Sequence, residues 1–140
     1  MQTISKTRRW VSYILSGIVI LFMLMDSIMK FVQPAEVIEG SLALGFTREH
    51  IVVLGVLGLV STLLYMFPLT SLLGAILLTA YFGGAIATHM RLNNPLFSHT
   101  LFTVYFGILT WGGLWLRNRK LQELLPMTKA SNRASIKAML

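Results

Sequence analysis

Four apolar runs, each of about twenty residues and divided by short polar breaks, constrain this chain more than any other feature. They lie at about 10–32, 48–67, 71–90 and 99–116. A helix rises about 1.5 Å per residue, so each run is close to the length needed to cross about 30 Å of hydrocarbon. Only helices can do this as separate segments, because every backbone N–H and C=O in lipid must be satisfied within the span. The expected fold is therefore all-α, a transmembrane four-helix bundle. A basic segment (1–9) precedes the membrane domain (10–117), and a basic tail (118–140) follows it.

The breaks agree with this division. Gln33-Pro34 ends the first run, since Pro34 lacks an N–H and disfavours helical geometry at Gln33. Residues 35–44 are short and half polar, a loop or a one-to-two-turn interfacial helix, with Gly45 placed to cap its C-terminus. Thr47 is an N-cap for the second span. Pro68 stops that span, and the turn to Ser71 is so tight that the second and third helices must be antiparallel neighbours. Asn93-Asn94-Pro95 ends the third. Trp111, Trp115 and Arg117 close the fourth with the aromatic and basic residues of a membrane interface.

Charge gives the orientation. Only 12% of the 140 residues are charged, against about 25% in a soluble domain. The net charge is +7 and the isoelectric point about 10.3. The positive groups lie outside the apolar runs: Lys6, Arg8 and Arg9 before the first, and Arg117, Arg119, Lys120, Lys129, Arg133 and Lys137 after the last. That placement argues for membrane topology and against nucleic acid as a partner. The excess of Lys and Arg puts both termini in the cytoplasm, with the turn at Pro68. Lys6-Arg8-Arg9 before an apolar stretch resembles a signal peptide. No small-x-small cleavage pattern follows Met25, so an uncleaved first helix is expected. With no cysteine in the chain, thiol redox chemistry and thiolate metal sites are excluded.

Small residues recur at helical spacing: Gly55, Gly58 and Ser61; Ala80, Gly84 and Thr88; Thr103 and Gly107. Such stripes let lipid-embedded helices approach closely and are expected to be packing faces. Polar chemistry gathers at the end away from the termini. Asp26 lies about sixteen residues into the first span, roughly 24 Å along it. A charge at that depth must be paired, and Lys30 is on the same helix face. His89 and Arg91 end the third span at similar depth. Glu49, His50 and His99 open the neighbouring helices. The expectation is one polar ring made of Asp26, Lys30, His89 and Arg91, with Glu49, His50 and His99 around it. It would hold a polar headgroup or pass a proton, with His89 as the near-neutral titrating group. The histidines lack His-x-x-x-His or Glu-x-x-His spacing, so no metal is expected. No phosphate loop or nucleophile elbow is present. No acidic residue lies near mid-membrane, which weighs against a transporter.

The run GAIATHMRLNNPLF from Gly84, followed by LTWGGLWLRNRKLQELLP from Leu109, resembles the DoxX-like family of small bacterial four-helix membrane proteins. Gly45, Gly55 and Pro68 around the second span, and Lys30 near the end of the first, are similar to that family too. Thr47-Arg48 departs from it, where a proline-containing turn is usual. The resemblance implies a multi-pass protein of the bacterial inner membrane. It also implies an association with quinone-linked oxidation, because the family takes its name from a membrane subunit of a thiosulfate:quinone oxidoreductase. Three functions are then expected in order. The first is a non-enzymatic or accessory protein that binds a lipid-like or quinone-like molecule, a membrane partner or a second copy of itself. The second is an accessory subunit of a quinone-linked oxidoreductase, and the third a small transporter. No cofactor other than quinone is implied, and no catalytic residue is assigned.

Overall fold

The computed structural model describes residues 5–95, 98, 100–125 and 137–139. Among these the chain forms six α-helices and no strand: α1 (Lys6–Val32), α2 (Ala35–Ala43), α3 (Arg48–Met66), α4 (Ser71–Arg91), α5 (Leu101–Arg117) and α6 (Arg119–Leu124). Helices α1, α3 and α4 are long and apolar enough to cross a membrane. The 17 residues of α5 reach about 25 Å.

Local chemistry sets the ends. The Ser5 hydroxyl accepts from the Arg8 N–H at 3.2 Å and starts α1, four residues before the apolar run. Gln33, left-handed at φ 54°, ends it. At the end of α2 the Phe46 N–H donates to the Ser41 carbonyl and the Gly45 N–H to that of Leu42, both at 3.0 Å, with Gly45 at φ 88°. That is a Schellman cap, which needs a left-handed residue where glycine sits. Thr47 and His50 form a reciprocal capping box at the start of α3: the Thr47 hydroxyl takes the His50 N–H, and His50 Nδ1 takes the Thr47 N–H. Thr47→Ala is expected to cost about 1 kcal/mol, read as a lower thermal midpoint in detergent, while Thr47→Ser should stay near wild type.

The four long helices pack as a ring. α1 lies against α3 and α5, and α4 closes the ring between α3 and α5. Chain direction alternates around it, as the short connections require. Lys6, Met66, Ser71 and Arg117 stand at one end, called here the basic end; Val32, Arg48, Arg91 and Leu101 stand at the distal end.

Burial is inverted relative to a soluble protein. Ser12, Ser16, Ser27, Ser61, Thr62, Ser71 and Thr110 are inside, while Leu21, Val60, Leu73, Ile76 and Ile108 face outward. An apolar exterior of this extent is stable only in lipid. Many interior hydroxyls are satisfied by their own helix: Thr62, Ser61 and Thr110 each donate at 2.7 Å to the carbonyl four residues earlier. The apolar core runs through Val19, Met23, Tyr65, Leu78, Phe82 and Phe106.

Close helix contact falls partly elsewhere than the small-residue stripes indicate. Gly55 meets Lys30 and Phe31, and Gly58 meets Ser27 and Met23, as expected of packing positions. Gly84 and Gly107, in contrast, have open space where a Cβ would stand. Ala80, Gly84 and Thr88 line a cavity instead of a helix contact. The tightest approaches are Gly74, whose Cβ would lie 2.2 Å from the Tyr65 backbone nitrogen, and Gly113, whose Cβ would lie 2.4 Å from Ser16 Oγ. Spacing identifies a smooth face but does not say which neighbour meets it.

A buried polar chain ties three helices at the basic end. Tyr65 Oη donates its one proton to the Thr110 carbonyl at 2.7 Å, so it accepts from Ser16 Oγ at 2.8 Å. Ser16 Oγ in turn accepts from Arg117 Nη1. The bonds therefore run one way, from Arg117 on α5 through α1 and α3 back to α5.

Candidate functional site

At the distal half of the bundle a cavity of about 720 Å³ opens between α1, α3, α4 and α5, with Ser41, Leu44 and Phe46 over it. Most of its wall is apolar. Phe22, Phe102 and Phe106 form one aromatic side, with ring centroids 4.4–5.5 Å apart. Into this surface project four side chains with functional chemistry: Asp26, Lys30, Tyr81 and His89.

Asp26 and Lys30 form an ion pair one helical turn apart on α1. Their side chains keep 29% and 16% of their exposure, so the pair opens onto the cavity and is not sealed in the core. After its bond to Asp26, the Lys30 ammonium has two further N–H groups. From α4 the Tyr81 hydroxyl donates to Asp26 Oδ2 at 3.4 Å, which links the pair to the opposite wall.

His89 is held by the turn that follows it. Asn93 adopts φ 54°, and the Asn94 N–H donates to the His89 carbonyl while the Asn93 N–H donates to that of Met90. This Schellman cap brings the Asn94 side-chain nitrogen to 2.9 Å from His89 Nδ1. An amide NH₂ can only donate, so Nδ1 accepts and the ring proton sits on Nε2. The Asn-Asn-Pro turn thus fixes both the direction and the tautomer of the histidine.

The expected ring does not close. Asp26, Lys30 and His89 share the cavity, but Arg91 does not line it. Its Nη2 lies 3.2 Å from where a Gly45 Cβ would be, so the guanidinium packs on the α2–α3 turn. Arg91 follows His89 by two residues, about 200° around the helix, and so leaves the His89 face. His50 is occupied in capping α3. Glu49 is exposed in the first turn of α3, where a carboxylate meets the positive end of the helix dipole. His99 lies outside the described residues. Among the described residues no three His, Cys, Asp or Glu side chains gather as a metal site.

Tyr81 is the residue the sequence reading passed over. Its signal was helical register: seven residues before Thr88 and eight before His89, it belongs to the same broad face of α4.

An inside-out helical bundle with an apolar exterior defines a small membrane protein. The DoxX-like family matches residues 14–113, and the chain belongs to that family. Neither the curated proteins nor the solved structures contain a match.

Proposed function

We propose that the protein is a multi-pass inner-membrane protein with α5 as its fourth span and both termini cytoplasmic. In this reading the distal cavity binds a lipid-like or quinone-like molecule. The observation that carries the ligand reading is the cavity itself: about 720 Å³, apolar on most sides, with Asp26, Lys30, Tyr81 and His89 all in its wall. Binding sites for small molecules have this build, an apolar body with few directed polar groups. The matching guest has a long apolar stem and an uncharged head carrying carbonyl or hydroxyl oxygens. Asp26 neutralises Lys30, so the site presents N–H and O–H groups at little net charge. Lys30 would donate to a carbonyl of the head, His89 would exchange a proton or hydrogen bond with it, and the phenylalanines would hold the ring or stem.

Support for the orientation is the distribution of Lys and Arg, all but three of which flank the runs on the terminal side. The alternation of chain direction around the ring needs α5 to return to the basic end, as a fourth span does.

The test is extraction of the detergent-purified, full-length protein and mass spectrometry of its lipids. Wild type is expected to retain an isoprenoid quinone or neutral lipid after delipidating washes. His89→Ala should retain roughly 2- to 10-fold less, the range for loss of one hydrogen bond. Equal retention by wild type and His89→Ala would remove the histidine from the site, and no retained molecule in either would sink the reading.

A further inference from the structure

A second cleft, of about 620 Å³, lies at the basic end of the bundle. Arg9, Arg117, Arg119 and Lys120 line it, and Ile20 and Met66 continue its wall toward the apolar part of the helices. Among the described residues no carboxylate lines it. The chain has five: Asp26, Glu36, Glu39 and Glu49 belong to the distal half, and Glu123 is exposed on α6 outside the cleft. Among the described residues the one ion pair is Asp26–Lys30. Among the described residues, four cations therefore share one cleft whose lining holds no carboxylate; Glu123, one helical turn from Arg119 and Lys120, is the nearest acidic residue in sequence.

Arg117 is also built into place. Its Nη1 donates to Ser16 Oγ, to Ser12 Oγ at 3.4 Å and to the Gly113 carbonyl at 3.2 Å, and the guanidinium lies over the rings of Tyr13 and Tyr65. All three contacts start at one nitrogen, whose two N–H groups are shared among them, and all go to neutral oxygens. A guanidinium carries five N–H donors in a planar fork that matches phosphate oxygens. Holding it by one nitrogen orients the rest of the fork without neutralising it. Arg9, Arg119 and Lys120 surround it as further positive charge.

We infer that this cleft binds the phosphate of an anionic phospholipid, with the acyl chains lying along Ile20 and Met66. The apolar continuation favours a lipid over free phosphate. The four cations in the lining, with no carboxylate among them, favour an anionic headgroup over a zwitterionic one, whose ammonium would sit among like charges. This site is separate from the distal cavity and does not depend on what that cavity holds.

Native mass spectrometry of the full-length protein in neutral detergent, titrated with phosphatidylglycerol, phosphatidylcholine or inorganic phosphate, tests it. Wild type should bind phosphatidylglycerol at least tenfold more tightly than phosphatidylcholine. R119Q/K120Q alters two exposed side chains that support no helix contact, so it should fold as wild type by circular dichroism. It should weaken phosphatidylglycerol binding by roughly 30-fold, from about 1 kcal/mol per charge, and leave phosphatidylcholine unchanged. Arg117→Gln should weaken it further. Equal binding of the two lipids by wild type, or a preference that survives in R119Q/K120Q, would overturn the inference. Displacement of the lipid by equimolar inorganic phosphate would overturn the assignment to a lipid.

Discussion

Gly74→Ala is expected to be among the most damaging single-methyl additions the protein can receive. The added Cβ would lie 2.2 Å from the Tyr65 backbone nitrogen and 2.5 Å from its Cα. Both obstacles are main chain, so no rotamer change relieves them. The helices cannot slide apart either, because the turn between α3 and α4 is locked. The Ser71 hydroxyl shares its one proton between the carbonyls of Tyr65 and Phe67 at 2.9 and 2.7 Å, and the Thr70 hydroxyl donates to that of Leu64 at 2.7 Å. Displacing Tyr65 would also pull its hydroxyl from Ser16 and Thr110. Overpacking of this kind costs about 3 kcal/mol or more, a fall of roughly 10 °C in thermal midpoint. Gly83→Ala is the control. Open space surrounds Gly83, and alanine is the better helix former, so its midpoint should hold or rise. A Gly74→Ala midpoint equal to that of Gly83→Ala would show that α3 and α4 do not meet as described.

Asp26→Leu should be the most damaging change in the distal cavity. It leaves the Lys30 ammonium in an apolar wall without its partner; breaking a fully buried pair costs about 3–5 kcal/mol, and this part-buried one a share of that. The double variant Asp26→Leu/Lys30→Leu removes both charges and should recover most of that stability, since apolar replacement of a buried pair is often neutral. The two roles of the pair then separate. If it serves only to satisfy itself, the double variant should behave as wild type in every respect. If it serves a ligand, the double variant should be stable and yet retain roughly tenfold less quinone or neutral lipid, having lost the Lys30 donor. Thermal melts and lipid extraction on the three proteins distinguish these outcomes.

Much of the helical framework was legible because it follows from short-range physics. Apolar runs bounded by Pro34, Pro68 and Asn93-Asn94-Pro95 locate the long helices, and Thr47 and Gly45 announce their roles through cap chemistry that depends on a few neighbours. The Asp26–Lys30 pair was legible for the same reason, being one helical turn apart. What sequence could not supply was azimuth, the direction each face takes around the bundle. The stripe of Ala80, Gly84 and Thr88 looks like a packing face and lines a cavity, while Gly74 makes the closest contact without belonging to a recognised stripe. Arg91 is only two residues from His89, yet two residues turn a helix by about 200°, enough to send it to the Gly45 turn. Tyr81 shares a face with Thr88 and His89 by register, but its bond to Asp26, like the chain from Arg117 through Ser16 to Tyr65, joins residues far apart in sequence that no local pattern pairs.

The central claim is that the distal cavity receives the head of a quinone-like or lipid-like molecule. Photolabelling addresses it most directly, with an azido-benzoquinone bearing an isoprenoid tail applied to the full-length protein in lipid nanodiscs. Saturable labelling is expected on peptides containing Phe22, Tyr81 or Phe102, suppressed by excess unlabelled quinone and weakened in His89→Ala. Labelling spread over lipid-facing residues such as Leu21, Val60, Ile76 and Ile108, and unaffected by competitor, would contradict it.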